Sequence, residues 1–238
     1  LRAEALARVA RDGLPHRRVE AWKYTDLRNK LSPDLTLATG KGEPPQSIFE
    51  SIGAHRIDIN GGRVSQMPRG DELPDGLEVI SLAEALTTPA AWLRQWFEPG
   101  SDVLQNLNLA FAADGALIRV GRGLQIDRPV LLRSTLAEAG VMSNTRSVVY
   151  LEEGAELTLI ELDDGAPETQ SLANAVTSIM LEPGSRLRHL RVTASAGASV
   201  VVRNHDLELA RDTTYEGVVL SSGAALARQQ MSVRLTGA

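Results

Sequence analysis

Apolar and polar residues alternate in two different rhythms along the chain, and the change falls near residue 113. Before it the spacing is mostly helical. Leu1, Leu6 and Val9 share one face of a short helix, and Gly13 with Pro15 ends it. Residues 20–31 read as a second helix, with Ser32-Pro33 as its stop. Residues 39–47 are a Gly/Pro-rich linker. His55–Asn60 and Arg63–Met67 flank Gly61-Gly62, a hairpin signal, and residues 69–76 are a polar turn region. Ser81-x-x-Glu84 is a capping-box pattern that opens a helix, restarted at Thr88-Pro89. Trp92, Leu93, Trp96 and Phe97 follow at helical spacing. Asp102 then caps a last helix with Val103, Leu104, Leu107 and Phe111 on its inner face.

After Asp114-Gly115 the rhythm becomes that of short strands, at 116–120 and 130–132. Then a repeat appears. Leu151-Glu-Glu-Gly154-Ala-Glu-Leu157 matches Leu181-Glu-Pro-Gly184-Ser-Arg-Leu187, and Leu209-Ala-Arg-Asp212-Thr-Thr-Tyr215 is a weaker copy. The first leucines lie 30 and then 28 residues apart. Each copy is strand, tight turn, strand. Leu220–Leu226 is a further such unit, on the other side of a coil. One coil cannot bury its own apolar face, so a period near 30 predicts a β-solenoid whose coils stack on one another. Antiparallel hairpins with Gly turns would produce similar two-strand units. Glu152-Glu153 and Asp163-Asp164 fall where turns are expected, which predicts solvated carboxylates rather than a catalytic pair.

Composition sharpens this division. Of nine aromatics only Tyr150 and Tyr215 lie in the last 124 residues, so that half builds its core from aliphatic residues. A narrow stacked core needs bulky rings less than a globular one does. All three lysines fall in the first 41 residues, where nine bases meet five acids. The acids interleave with the bases, which predicts a solvated helical face rather than a nucleic-acid patch. No apolar run reaches about 18 residues, so no membrane span is expected. The chain has no cysteine, which excludes disulfides, a cysteine nucleophile and thiolate ligation of zinc or an iron–sulfur cluster by this chain.

The four histidines, His16, His55, His189 and His205, form no compact ligand motif. His189 and His205 can approach each other on neighbouring strands, as metal ligands or as structural residues. Gly121-Arg122-Gly123 lacks the third glycine and the helix of a dinucleotide fingerprint. No residue qualifies as catalytic, cofactor-binding or metal-ligating from the sequence, and no enzyme is expected. A β-solenoid lyase or acyltransferase would need a catalytic cluster or strict hexapeptide repeats. A protein-interaction module without metal chemistry needs neither.

One segment is far more specific. Gly13-Leu-Pro-His-Arg-Arg-Val-Glu20-Ala-Trp22-Lys23-Tyr24-Thr25-Asp-Leu27 resembles the N-terminal signature of the SufD branch of the SufB/SufD family, which belongs to the SUF iron–sulfur cluster assembly machinery. Leu107-Asn108-x-Ala110-Phe111-x-x-Asp114-Gly115 resembles the family's passage from helical domain to β-helix. Arg186–Leu190 and Asn204–Ala210 match inside the repeat. The resemblance implies an α+β chain with an N-terminal helical domain over 1–112 and a right-handed β-helix of roughly four coils over 113–238. It implies a cytoplasmic scaffold that pairs with a SufB-like protein through the β-helices and works with a SufC-like ABC ATPase. A transient iron–sulfur cluster or iron would be held at the complex interface, and SufB would supply the cysteine. No nucleic acid or membrane partner is implied.

Family members continue past this length into further coils and a C-terminal helical domain that docks the ATPase. This chain begins at Leu1 and stops at Thr236-Gly237-Ala238, so a fragment is expected, with an open β edge that pairs copies into a homodimer.

Overall fold

The computed structural model describes residues 1–238 apart from 33, 45, 166–169, 196 and 238. Pro33, Pro45 and Ala238, named above in a helix stop, a linker and the chain end, therefore lie outside the described residues.

The first half carries helix α1 (Arg2–Asp12), strands β1 (Thr36–Leu37), β2 (His55–Asn60), β3 (Arg63–Gln66) and β4 (Leu77–Ser81), and helices α2 (Leu82–Ala85) and α3 (Val103–Phe111). Asp102 caps α3 as expected, its carboxylate accepting from the Gln105 amide. The hairpin expectation also holds, with β2 and β3 antiparallel around Gly61-Gly62. The helix expected over 20–31 is instead two 3-10 turns, Glu20–Trp22 and Leu27–Asn29, which seat Trp22 and Leu27 in the core. Ser81 caps only the single turn of α2, and Ala91–Phe97 is 3-10 as well. Leu93 and Trp96, three residues apart, eclipse on that tighter spiral, and both are buried.

The second half is a stack of coils. One sheet holds β5 (Ala116–Val120), β7 (Val141–Leu151), β9 (Ser171–Leu181), β11 (Ser199–Leu209) and β13 (Leu226–Leu235). The facing sheet holds β6 (Val130–Thr135), β8 (Glu156–Asp164), β10 (Arg186–Ala194) and β12 (Thr214–Ser222). All these neighbours are parallel, giving a β-solenoid of about four turns. The register is the one the repeat predicts: Leu151 lies beside Leu181, Leu181 beside Leu209, and Leu157 beside Leu187. Gly154 and Gly184 take the left-handed conformation that the tight turns require (φ 70° and 72°). In the third copy Asp212 occupies that conformation at φ 58°, which explains why the motif is weaker there.

Side chains alternate in and out of the coil. Val149, Leu151, Leu157, Leu159, Ile179, Leu181, Leu187 and Leu207 fill an aliphatic interior, each contributing about 1.5–3 kcal/mol by burial. The outer face of the β5–β13 sheet is covered by the N-terminal segments, with Trp22, Leu27, Leu104 and Leu107 against Leu172, Val200 and Val202.

The first half also enters the solenoid itself. β2 runs parallel to β6 and extends its sheet, while β3 and β4 run antiparallel to β2 and β5 and end the two sheets. At the opposite end β12 and β13 are edge strands, with Val218, Leu220 and Leu235 exposed. No helix among the described residues is long and apolar enough to cross a membrane.

Candidate functional site

The interior is not apolar throughout. Along β8 the inward positions run Leu157, Leu159, Glu161, Asp163, all of them buried. Leu187 and His189 do the same on β10, beside Leu157 and Leu159. From the facing sheet, β11 contributes Arg203 and His205, and β9 contributes Thr177, which lies beside His205 in the register. The strand period of two therefore converts an aliphatic stack into a polar one within a single strand length.

Glu161 is the centre of this group. Its Oε2 accepts from His205 Nε2 at 2.6 Å and from His189 Nε2 at 3.1 Å. Its Oε1 accepts from the Thr177 hydroxyl at 2.5 Å, and an Arg203 nitrogen stands 3.7 Å away. The two imidazoles meet edge to face, with centroids 5.3 Å apart. Tyr215 of β12 donates its hydroxyl to His189 Nδ1 at 3.0 Å. His205 Nδ1 is buried with no hydrogen-bond partner among the described residues.

Burial pushes the Glu161 carboxyl up, but the two imidazoles, His205 foremost, hold it well below the usual carboxylate range. It is ionised at neutral pH, and both imidazole Nε2 atoms are the donors. Burial lowers the pKa of His189, opposed by Glu161. Burial pushes the Tyr215 hydroxyl up to about 12, so it stays a donor.

Asp163 and Asp164 correct the expectation of solvated turn carboxylates. Both are buried at the end of β8. Asp163 faces inward and binds Arg203 through two nitrogens, one of them at 2.7 Å from Oδ2. Asp164 binds Arg133 at 2.9 Å. Glu152 and Glu153 do lie at the turn and pair with the exposed Arg119 and Arg122.

Of the four histidines, the structure brings His189 and His205 together and leaves His16 and His55 apart from them. Sequence reading missed Glu161, Thr177, Arg203 and Tyr215 in this cluster. The signal was present: extending the Leu157/Leu187 register inward by twos puts Glu161, His189 and Asp163 on the core face. Chemically, one carboxylate oxygen and two imidazole nitrogens lie within 4.8 Å of one another, a donor set that one divalent ion can bridge.

Comparison with known proteins assigns the whole chain. Residues 134–238 match the family described as SUF system FeS cluster assembly, SufBD core domain, and residues 1–132 match the SufBD protein N-terminal region. The chain is 27% identical to the iron–sulfur cluster assembly protein SufD of Escherichia coli, covering 98% of this chain and 55% of that protein. It is 23% identical to an iron–sulfur cluster assembly SufBD family protein of Synechocystis, over 92% of this chain and 52% of the relative. A chloroplastic protein of Arabidopsis thaliana, ABCI7, is 25% identical over 94% of this chain and 50% of its own length. The chain thus spans about half the length of these relatives. With an N-terminal region and a β-solenoid core that both match across their extent, the chain belongs to the SufBD family of iron–sulfur cluster assembly proteins.

Proposed function

We propose that this protein is a cytoplasmic, non-enzymatic scaffold subunit of a SUF-type assembly complex, pairing with a SufB-like protein and a SufC-like ABC ATPase, with iron or a nascent cluster as cargo. The observation that carries this reading is the parallel solenoid core, which coincides with the matched SufBD core region. The composition supports it further. A chain with no cysteine leaves thiolate ligation of a cluster to its partner. Tagged full-length protein co-expressed with both partners is expected to bring down the SufB-like protein and the ATPase together. Capture of neither overturns the assembly reading.

In the absence of a partner, the free strands β12 and β13 offer unpaired backbone groups beside exposed Val218 and Leu220. Concentrated samples of this chain are expected to show a dimer by light scattering. A monomer at high concentration counts against edge pairing.

A further inference from the structure

We propose that Glu161, His189 and His205 form an internal binding site for one divalent first-row transition-metal ion within the solenoid. The inference goes beyond the expectation from sequence that no residue ligates metal, and it stands apart from the partner reading. Its basis is the division of labour around Glu161. One carboxylate oxygen, Oε1, is held by Thr177 and flanked by Arg203, so the carboxylate is fixed in rotation. The other, Oε2, is left to the two imidazoles, and both aim Nε2 at it. Arg203 spends two of its bonds on Asp163, so the Glu161 charge is not consumed by a close ion pair.

The ring of His189 is held from behind by Tyr215: when Nε2 turns to an ion the proton sits on Nδ1, which then donates to the Tyr215 oxygen, the way ligating histidines are commonly held through their second nitrogen. Metal–ligand bonds of about 2.0–2.1 Å to nitrogen and oxygen place tetrahedral ligand atoms roughly 3.3 Å apart. To admit an ion the 2.6 and 3.1 Å contacts open by about 0.7 and about 0.2 Å toward that spacing, while the imidazole nitrogens, which lie within 4.8 Å of each other, draw together. Two imidazoles and one carboxylate select iron, zinc or cobalt over calcium or magnesium, which favour all-oxygen shells.

The position also provides an approach. His189 and His205 lie on β10 and β11, each one strand in from the edge strands β12 and β13. Beside His189 in the register stands Gly217, which has no side chain. A Cβ at Gly217 would sit 3.0 Å from the Tyr215 ring and 3.3 Å from its hydroxyl, so this glycine is what lets Tyr215 lie across His189. Tyr215 and Met231, beside His205 in the register, are thus the side chains between the two imidazoles and that end of the stack.

The test is anaerobic titration of the metal-free 238-residue chain with Co(II). One equivalent is expected to bind, with visible ligand-field absorption stronger than that of the aqueous ion. Glu161→Gln and His205→Gln are expected to abolish stoichiometric binding. Tyr215→Phe keeps the ligands but loses the orienting hydroxyl, and is expected to weaken affinity by about 10–100-fold. Zinc titration followed by imidazole NMR gives a readout that needs no variant to fold: the resonances of His189 and His205 should move while those of His16 and His55 stay. Absence of saturable cobalt absorption by the wild-type chain overturns the site. Wild-type affinity in folded Glu161→Gln and His205→Gln variants, or zinc shifts confined to His16 and His55, also overturn it.

Discussion

Replacing Arg203 by Met is expected to destabilise the fold by about 3–5 kcal/mol, the loss typical when one partner of a buried ion pair is removed. For a chain of this length that lowers Tm by roughly 10 °C. The Arg203 side chain is only 4% exposed, and it is the cation for Asp163 and the nearest one to Glu161. Removing it leaves the buried Asp163 carboxyl without its two-nitrogen donor. The double variant Arg203→Met with Asp163→Leu removes both charges and is expected to recover most of the loss, because a buried pair replaced by apolar groups is often nearly neutral. Chemical denaturation of the three proteins decides the matter. A single variant within about 1 kcal/mol of wild type would show that the pair is dispensable. A double variant as unstable as the single one would assign the loss to packing rather than to an orphaned charge.

Gly115→Ala should be nearly as damaging, at about 3 kcal/mol, for a steric reason. Gly115 sits where the N-terminal region passes into the first solenoid strand. Its carbonyl accepts from the Leu82 amide at 2.9 Å, and the Asp114 carboxylate before it accepts from the amides of Ala83 at 3.1 Å and Val64 at 3.3 Å. A Cβ on residue 115 would run into the carbonyl of Arg146 on β7, so β5 and β7 would have to part. Urea unfolding should show a lower midpoint for Gly115→Ala. Gly70→Ala, whose Cβ would meet nothing within 4 Å, should stay within about 0.5 kcal/mol of wild type. Equal midpoints for the two variants would sink the steric account.

Both sites show what the sequence disclosed and what it hid. The Asp114-Gly115 pair stood out as a motif, yet its reason, three backbone amides to satisfy and a carbonyl to clear, exists only once β3, α2 and β7 converge on it. The solenoid was legible because the 30- and 28-residue spacings are the registers themselves, Leu151 to Leu181 to Leu209. The approach of His189 and His205 was legible but not its route: they meet across the coil interior from facing sheets, on β10 and β11, and not on neighbouring strands as expected. Burial of Asp163 was not legible, because Asp-Asp-Gly is a turn signal locally and its counter-ion, Arg203, is 40 residues away. The 3-10 turns around Trp22 and Trp96 escaped as well. Apolar residues spaced by three or four suit both helix types, and what selects the tighter one is contact with the solenoid face beneath.

The two ends of the stack differ in kind: antiparallel strands β3 and β4 form the sheet edges at one end, and parallel strands β12 and β13 form them at the other. The rod is therefore polar in the geometric sense, with two ends of unlike strand direction. Pairing of two copies through their β12–β13 ends is a two-fold contact, which is complete at the dimer. A contact between unlike ends would instead run head to tail and stay open, so a discrete dimer in light scattering, rather than a ladder of larger species, assigns the contact to like ends.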